Sequence, residues 1–182
     1  MKSTNVKKDY EALTGRWQLD PSRSDVAMVA GSRGERRAPG GGGGRRPPGG
    51  ARPPGAGAGF GGALMEDRGV QELLRAKATL VIEQNDSIVT LKDDSGWTRE
   101  LRPGGGKIRE ELAQGGPAEV ESRWKGDRLV TVRRLDRGAE LTERFARDRK
   151  TGDLILEVEF KAARMPRAIQ LKRIYVMADS PP

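Results

Sequence analysis

The chain has 182 residues and carries 34 lysines and arginines against 26 acidic residues, with no cysteine and no histidine. Disulfides, zinc sites built on cysteine and histidine, and catalytic triads with a histidine base are therefore excluded. Six arginines and one acid lie in residues 31–62, so this segment supplies +5 of the net charge of +8. Because the rest of the chain is only weakly basic, the overall charge is a poor indicator of nucleic-acid binding.

Residues 1–13 form a polar lead-in without the apolar core of a secretory signal, and no apolar run approaches the length of a membrane span. We expect a cytoplasmic protein if this is the native start, and an exported one, periplasmic or secreted, if a signal has been removed. Residues 16–19 are the first predicted strand. Asp20-Pro21-Ser22 ends it, because proline cannot continue a central ladder.

Residues 31–62 are rich in glycine, arginine and proline and contain one aromatic residue, Phe60. They cannot bury enough apolar surface to offset their ordering entropy, which predicts a long disordered loop. A solvated loop is the simplest interpretation, and contact with an anionic surface or partner is the alternative. RNA binding is not expected, because the segment has no Arg-Gly-Gly triplet and only one aromatic residue on which a base could stack. The residues that would make such anionic contacts are Arg33, Arg36, Arg37, Arg45, Arg46 and Arg52.

Residues 64–78 have the apolar spacing of an amphipathic helix, and from Thr79 onward the period changes to two. Nine alternating segments follow at intervals of about 8–12 residues, each ended by turn residues. With the first strand they make about ten, typical of an all-β, antiparallel meander barrel. We expect the last strand to meet the first and so remove the exposed edges. The nine predicted strands are residues 80–82, 88–91, 97–101, 107–112, 119–125, 128–134, 140–147, 154–161 and 169–177.

Two short motifs stand at the ends of this series: Gly15-x-Trp17 on the first strand and Arg173-x-Tyr175 on the last. Together with the ten segments and the intervening helix, they make the chain resemble the calycin superfamily of lipocalins and fatty-acid-binding proteins. It is most similar to uncharacterised bacterial lipocalin-like proteins that open with a run such as GRWQLDPSRSD and carry a Gly/Arg/Pro-rich insertion. The resemblance implies one lipocalin-like barrel domain over residues 14–177, interrupted by residues 31–62. It also implies that Arg173 packs on Trp17 beside Gly15 and closes the barrel.

Arg173 and Tyr175 share one face of the last strand, and two roles are open for them. They could point into the barrel and bind a ligand carboxylate through a charge-assisted hydrogen bond and a phenol donor. Alternatively, Arg173 could stack on Trp17 and serve closure alone. A further interior arginine is not obvious. Arg144 lies opposite the apolar face of its strand and is predicted to point outward, whereas Arg133 could point in.

The remaining large aromatic residues of the predicted strands are Trp97, Trp124 and Phe145. Core packing is the ordinary role of such residues, and lining a ligand cavity is the alternative. We predict them, with Arg173 and Tyr175, as the ligand-binding set.

Nothing in the sequence predicts catalysis. Glu110 and Glu111 are adjacent in a strand and point to opposite faces, and Asp93-Asp94 is typical of a turn. We therefore predict a monomeric, non-enzymatic protein without metal or cofactor that binds a small hydrophobic ligand, such as a fatty acid. The alternative is a structural barrel whose basic loop tethers it to an anionic surface or partner.

Overall fold

The computed structural model describes residues 13–25, 68–85, 87–112, 116–135, 138–163, 165 and 167–178. The predicted loop at residues 31–62 and nearly all of the predicted lead-in lie outside these ranges. Among the described residues, no helix has the length and apolar character needed to cross a membrane. The elements are β1 (Gly15–Leu19), α1 (Arg68–Leu74), β2 (Thr79–Gln84), β3 (Val89–Lys92), β4 (Thr98–Leu101), β5 (Lys107–Leu112), β6 (Gly116–Lys125), β7 (Arg128–Leu135), β8 (Glu140–Arg147), β9 (Leu154–Lys161) and β10 (Ile169–Met177).

All ten strands form one antiparallel sheet in the order β4-β3-β2-β1-β10-β9-β8-β7-β6-β5, curled into a half-barrel. Trp17 pairs with Leu80 on one side and with Met177 on the other, so the first and last strands are neighbours, as predicted. That pairing does not remove the edges, however, because β1 and β10 meet in the middle of the sheet. The two edges are β4 and β5, which the turn containing Pro103 connects.

Period-two alternation gives the sheet one buried inner face. In β9, Leu154, Leu156, Val158 and Phe160 are buried, while the residues between them are half-buried or exposed. Burying large apolar side chains of this kind contributes about 1.5–3 kcal/mol each before entropy costs, so a single apolar core forms inside the curl. The helix adds Val70 and Leu74 to that core.

Two elements differ from their predicted bounds. The predicted helix ends at Leu74 rather than at residue 78, because Thr79 must be extended to pair with Gln18 of β1. Its predicted first residues, 64–67, lie outside the described ranges. Strand β6 begins at Gly116, three residues before its predicted start at residue 119, and includes Pro117. The pairing of β6 with β7 starts only at Ala118, so the missing N–H of Pro117 interrupts no ladder bond on that side.

Trp17 packs against a different arginine from the one predicted. Its ring is fully buried, and its indole Nε1 donates to the Leu13 carbonyl oxygen at 3.0 Å. The guanidinium over the ring belongs to Arg147 of β8, 5.7 Å from the centroid. Gly15 has a φ of 151°, which favours glycine there. The expected stacking of Arg173 on Trp17 is thus corrected, since Arg173 contacts the helix instead.

Candidate functional site

Three of the predicted ligand residues lie in one row across the inner face. Trp124 opposes Leu129, and Leu129 opposes Phe145. Phe145 in turn opposes Leu156, and Leu156 opposes Arg173. Opposed inner residues have Cβ atoms about 4.5–5.5 Å apart, so this row forms a continuous strip across β6 to β10. The strip is apolar along most of its length and ends at one guanidinium.

Arg173 is almost fully buried, and it links the last strand to the helix. Its Nη2 donates to the carbonyl oxygen of Leu74, the last residue of α1. Its Nε is buried and has no hydrogen-bond partner among the described residues. Burial lowers the pKa of Arg173, while Tyr175 and Glu143 act in the opposite direction. The described hydrogen bond of Arg173 goes to a neutral carbonyl. A carboxylate would bind the same guanidinium more strongly, because both partners would then be charged.

Tyr175 follows on the same inner face and contacts the segment that joins α1 to β2. Its side chain is buried and hydrogen-bonded to the backbone of Lys77. Burial raises the pKa of Tyr175 to about 12, against the influence of Arg173. The phenol therefore keeps its proton at neutral pH and is available as a donor. The two residues of the last-strand motif thus lie beneath the end of the helix.

Trp97 lies at the rim, away from the row of Trp124, Phe145 and Arg173. Lys77 Nζ is 4.9 Å from the centroid of its ring. Asp93 holds the turn before it by accepting from the Trp97 backbone N–H at 2.9 Å, and also pairs with Lys77 at 3.4 Å. Lys77 reaches Glu72 of the helix as well, at 3.1 Å. Trp97 is therefore placed beside the helix connection, with its ring half-buried.

A charged cluster occupies the inner face beside the aromatic row. Arg99 Nη2 of β4 donates to Glu143 Oε2 of β8 at 2.7 Å. Arg133 Nη1 of β7 lies 4.0 Å from the same oxygen, and Arg133 Nη2 lies 3.2 Å from Glu110 Oε2 of β5. In the described part of the chain, three buried arginines, counting Arg173, thus face two glutamates, of which Glu110 is half-buried.

The charges of this cluster and its burial shift the pKa values of two of its members, Glu143 and Arg133. Burial alone would raise the pKa of Glu143, but Arg99 and Arg133 outweigh it and lower that pKa below its ordinary value. Burial, followed by repulsion from Arg99, lowers the pKa of Arg133 to about 10. Glu143 and Arg133 are therefore both ionised at neutral pH.

The directions of the charged side chains near the cluster agree with the alternation of their strands. Arg144 points outward to Glu159 at 2.9 Å, as predicted, and Arg133, for which the sequence allowed an inward direction, is buried inside. Glu110 reaches the inner cluster while Glu111 is exposed, so this pair divides between the two faces. Arg99 and Glu143 were missed. The signal was present, because Glu143 shares parity with Leu141 and Phe145 on its strand, and Arg99 shares parity with Leu101.

The hydrogen bond from Arg173 to the helix gives a testable expectation. Arg173→Met should speed amide hydrogen exchange in residues 68–78, because the last helical carbonyl loses its donor, and should cost about 1–3 kcal/mol of stability. Hydrogen exchange followed by mass spectrometry measures this, with Arg144→Met as the control on the outer face. An unchanged melting temperature and unchanged exchange would leave Arg173 without a structural role.

No family model matches this chain, and no curated protein matches it. Several solved structures do. The REP1-NXSQ fatty acid transporter has a TM-score of 0.52 at 12% identity, over 93% of this chain and 98% of its own. The wild-type fluorescent protein UnaG has a TM-score of 0.51 at 17% identity, over 93% and 99%. Apo lipid binding protein 8 of Caenorhabditis elegans has a TM-score of 0.56 at 8% identity, over 97% and 100%.

At these identities the similarity concerns the fold. A special closeness to bacterial lipocalin-like proteins stays a prediction. The match covers nearly the full length of each neighbour and agrees with the single sheet of ten antiparallel strands. The chain therefore shares the overall fold of these solved structures, one curled sheet of ten antiparallel strands in its described residues.

Proposed function

We propose that this protein is a non-enzymatic binder of a small hydrophobic ligand, held on the inner face of the barrel with its acidic end at Arg173 and Tyr175. The observation that carries the proposal is Arg173 itself. It is a buried guanidinium at the end of an apolar strip, its described hydrogen bond goes to a neutral carbonyl, and its Nε has no hydrogen-bond partner among the described residues.

The energetics favour a ligand with one anionic end. A buried charge is costly unless it is paired, and an apolar tail beside the same charge gains from contact with the core side chains. Phe145 and Leu156, which precede Arg173 in the row, offer such contact. The phenol of Tyr175 supplies a second donor on the same face. The names of two structural neighbours, a fatty acid transporter and a lipid binding protein, agree with this ligand class.

Fluorescence titration of the delipidated full chain with 11-(dansylamino)undecanoic acid tests the proposal. We expect saturable binding that oleic acid displaces. Arg173→Gln should weaken the acid by about 10- to 150-fold, since a hydrogen bond to a charged group contributes about 1.5–3 kcal/mol. The methyl ester of the probe should be affected little. Arg144→Gln, which changes an outward arginine, is the matched control. Absence of saturable binding together with absence of co-purified ligand in native mass spectrometry would rule out the carrier function.

The basic-loop tether remains a separate prediction, because Arg33, Arg36, Arg37, Arg45, Arg46 and Arg52 lie outside the described residues. Deleting residues 31–62 should abolish binding to anionic vesicles under that alternative and leave the barrel folded. Cellular location, monomeric state and the ligand's identity are likewise predictions.

A further inference from the structure

The ion pair between Arg99 and Glu143 crosses the interior of the barrel. Arg99 is on the edge strand β4 and Glu143 is on β8, and five strands separate these two in the sheet. Their contact at 2.7 Å therefore spans the space that the curled sheet encloses and does not follow its surface. Both side chains are about nine-tenths buried or more.

Glu143 holds the place that an incoming acid group would take between two arginines. Its Oε2 faces the Nη2 of Arg99 and the Nη1 of Arg133. The Nε atoms of both arginines are buried without a hydrogen-bond partner among the described residues, so neither guanidinium is fully satisfied. Two guanidiniums directed at one carboxylate make a site of the kind that binds carboxylate or phosphate groups.

The surroundings show what would happen if that carboxylate were neutral. Arg133 would keep only the half-buried Glu110 at 3.2 Å, and Arg99 would lose its described acidic partner. The two like charges would then face each other in a space of low polarity, where an anion interacts most strongly. Arg173 on β10 differs, because its described hydrogen bond goes to a carbonyl and not to a carboxylate.

We propose that Glu143 determines ligand specificity as the barrel's internal anion, which occupies Arg99 and Arg133 and directs a ligand's acid group to Arg173. The inference rests on the function proposed above and adds a specificity-determining residue to it. It makes the wild-type interior a site for ligands with one acidic group. It also implies a second anion site at Arg99 and Arg133. That site would accept a carboxylate or a phosphate only when Glu143 has lost its charge.

Glu143→Gln and Arg173→Gln, alone and combined, test this in the full chain with 11-(dansylamino)undecanoic acid and its methyl ester. We expect Glu143→Gln to bind the acid about tenfold tighter or more, because a two-arginine site is then free. We also expect Arg173→Gln to weaken the acid in the wild-type background and to have an effect below about threefold in the Glu143→Gln background. Glu159→Gln is the control, since Glu159 is paired on the outer face with Arg144 and Lys161.

A second variant covers the case in which Glu143→Gln does not fold. Arg99→Met combined with Glu143→Leu replaces the pair by apolar side chains and leaves Arg133 with Glu110, a change that buried ion pairs often tolerate. Acid affinity within about threefold of wild type is expected. A tenfold loss in this folded double variant would place the acid at Arg99 and overturn the proposal.

The remaining outcomes separate the two claims. If wild type binds the acid, and Arg173→Gln weakens it equally with and without Glu143, the specificity role is overturned and the carrier function stands. If neither wild type nor any folded variant binds acid or ester, the carrier function fails and the specificity role fails with it.

Discussion

Glu143→Gln should lower the free energy of unfolding by about 3–5 kcal/mol, although it changes only one charge. Removing one partner of a buried pair leaves the other charge uncompensated, and here two buried arginines, Arg99 and Arg133, lose an anion. Replacing both members, with Arg99→Met and Glu143→Leu, should be much less costly. Urea denaturation followed by circular dichroism measures both variants.

The pH dependence of that loss gives an independent check. Arg99 and Arg133 hold the pKa of Glu143 below its ordinary value of 4.5 in the folded protein, so the unfolded chain binds its proton first as the pH falls. Its stabilising contribution is therefore fully present above about pH 4.5 and is lost as the pH falls through the folded-state value. The stability difference between wild type and Glu143→Gln should shrink in that acidic window.

Glu159→Gln is the control for the stability loss predicted for Glu143→Gln, because it also removes a paired carboxylate but from the outer face. Glu159 lies on the outer face and receives hydrogen bonds from Lys161 and Arg144, which lower its pKa. Since solvent screens those partners, its substitution should cost about 1 kcal/mol or less. Equal losses for Glu143→Gln and Glu159→Gln would contradict the view that burial makes the inner pair special.

Trp17→Ala should cost about 3–5 kcal/mol, the range for truncating a large aromatic side chain in a core. The ring is fully buried in the core, its indole N–H donates to the Leu13 carbonyl oxygen, and Arg147 lies over its face. All three contacts are lost together. Urea denaturation followed by circular dichroism is the appropriate measurement, because the substitution also removes a fluorophore.

Trp97→Ala is the matched control, because that tryptophan is half-buried at the rim and contacts Lys77. Its loss should be clearly smaller than that of Trp17. Arg147→Met should lower stability less than Trp17→Ala, through loss of the cation over the ring, which contributes about 0.5–2 kcal/mol. A larger effect from Arg173→Met than from Arg147→Met on the burial of Trp17 would contradict the observed contacts of this ring.

The strand pattern was readable from the sequence because it depends on local rules. Strands β5, β8, β9 and β10 begin and end where alternation and turn residues predicted. The two-residue turn after Lys125 follows from Gly126, whose φ of 60° suits a tight hairpin. The outward direction of Arg144, and the inward direction allowed for Arg133, followed from parity alone.

The contacts between side chains on distant strands could not be predicted from the same local rules. Parity places Arg99, Glu143 and Arg173 on the inner face, but it does not say that Arg99 reaches Glu143 across five strands. Likewise, the resemblance implied that Arg173 packs on Trp17, whereas the folded sheet places Arg147 over that ring and directs Arg173 to the helix.

The sequence by itself therefore determined the all-β class, the ten strands, the meeting of the first and last strands, and the exclusion of disulfide and histidine chemistry. Periodicity, turn residues and composition act over a few residues, and each can be read along the chain. Tertiary structure alone decided that the edges of the described sheet are β4 and β5, that Arg147 lies over Trp17, and that Glu143 pairs with Arg99 and Arg133. Those outcomes depend on how a curled sheet brings distant residues together, and pair contacts of that kind have no signature in local spacing.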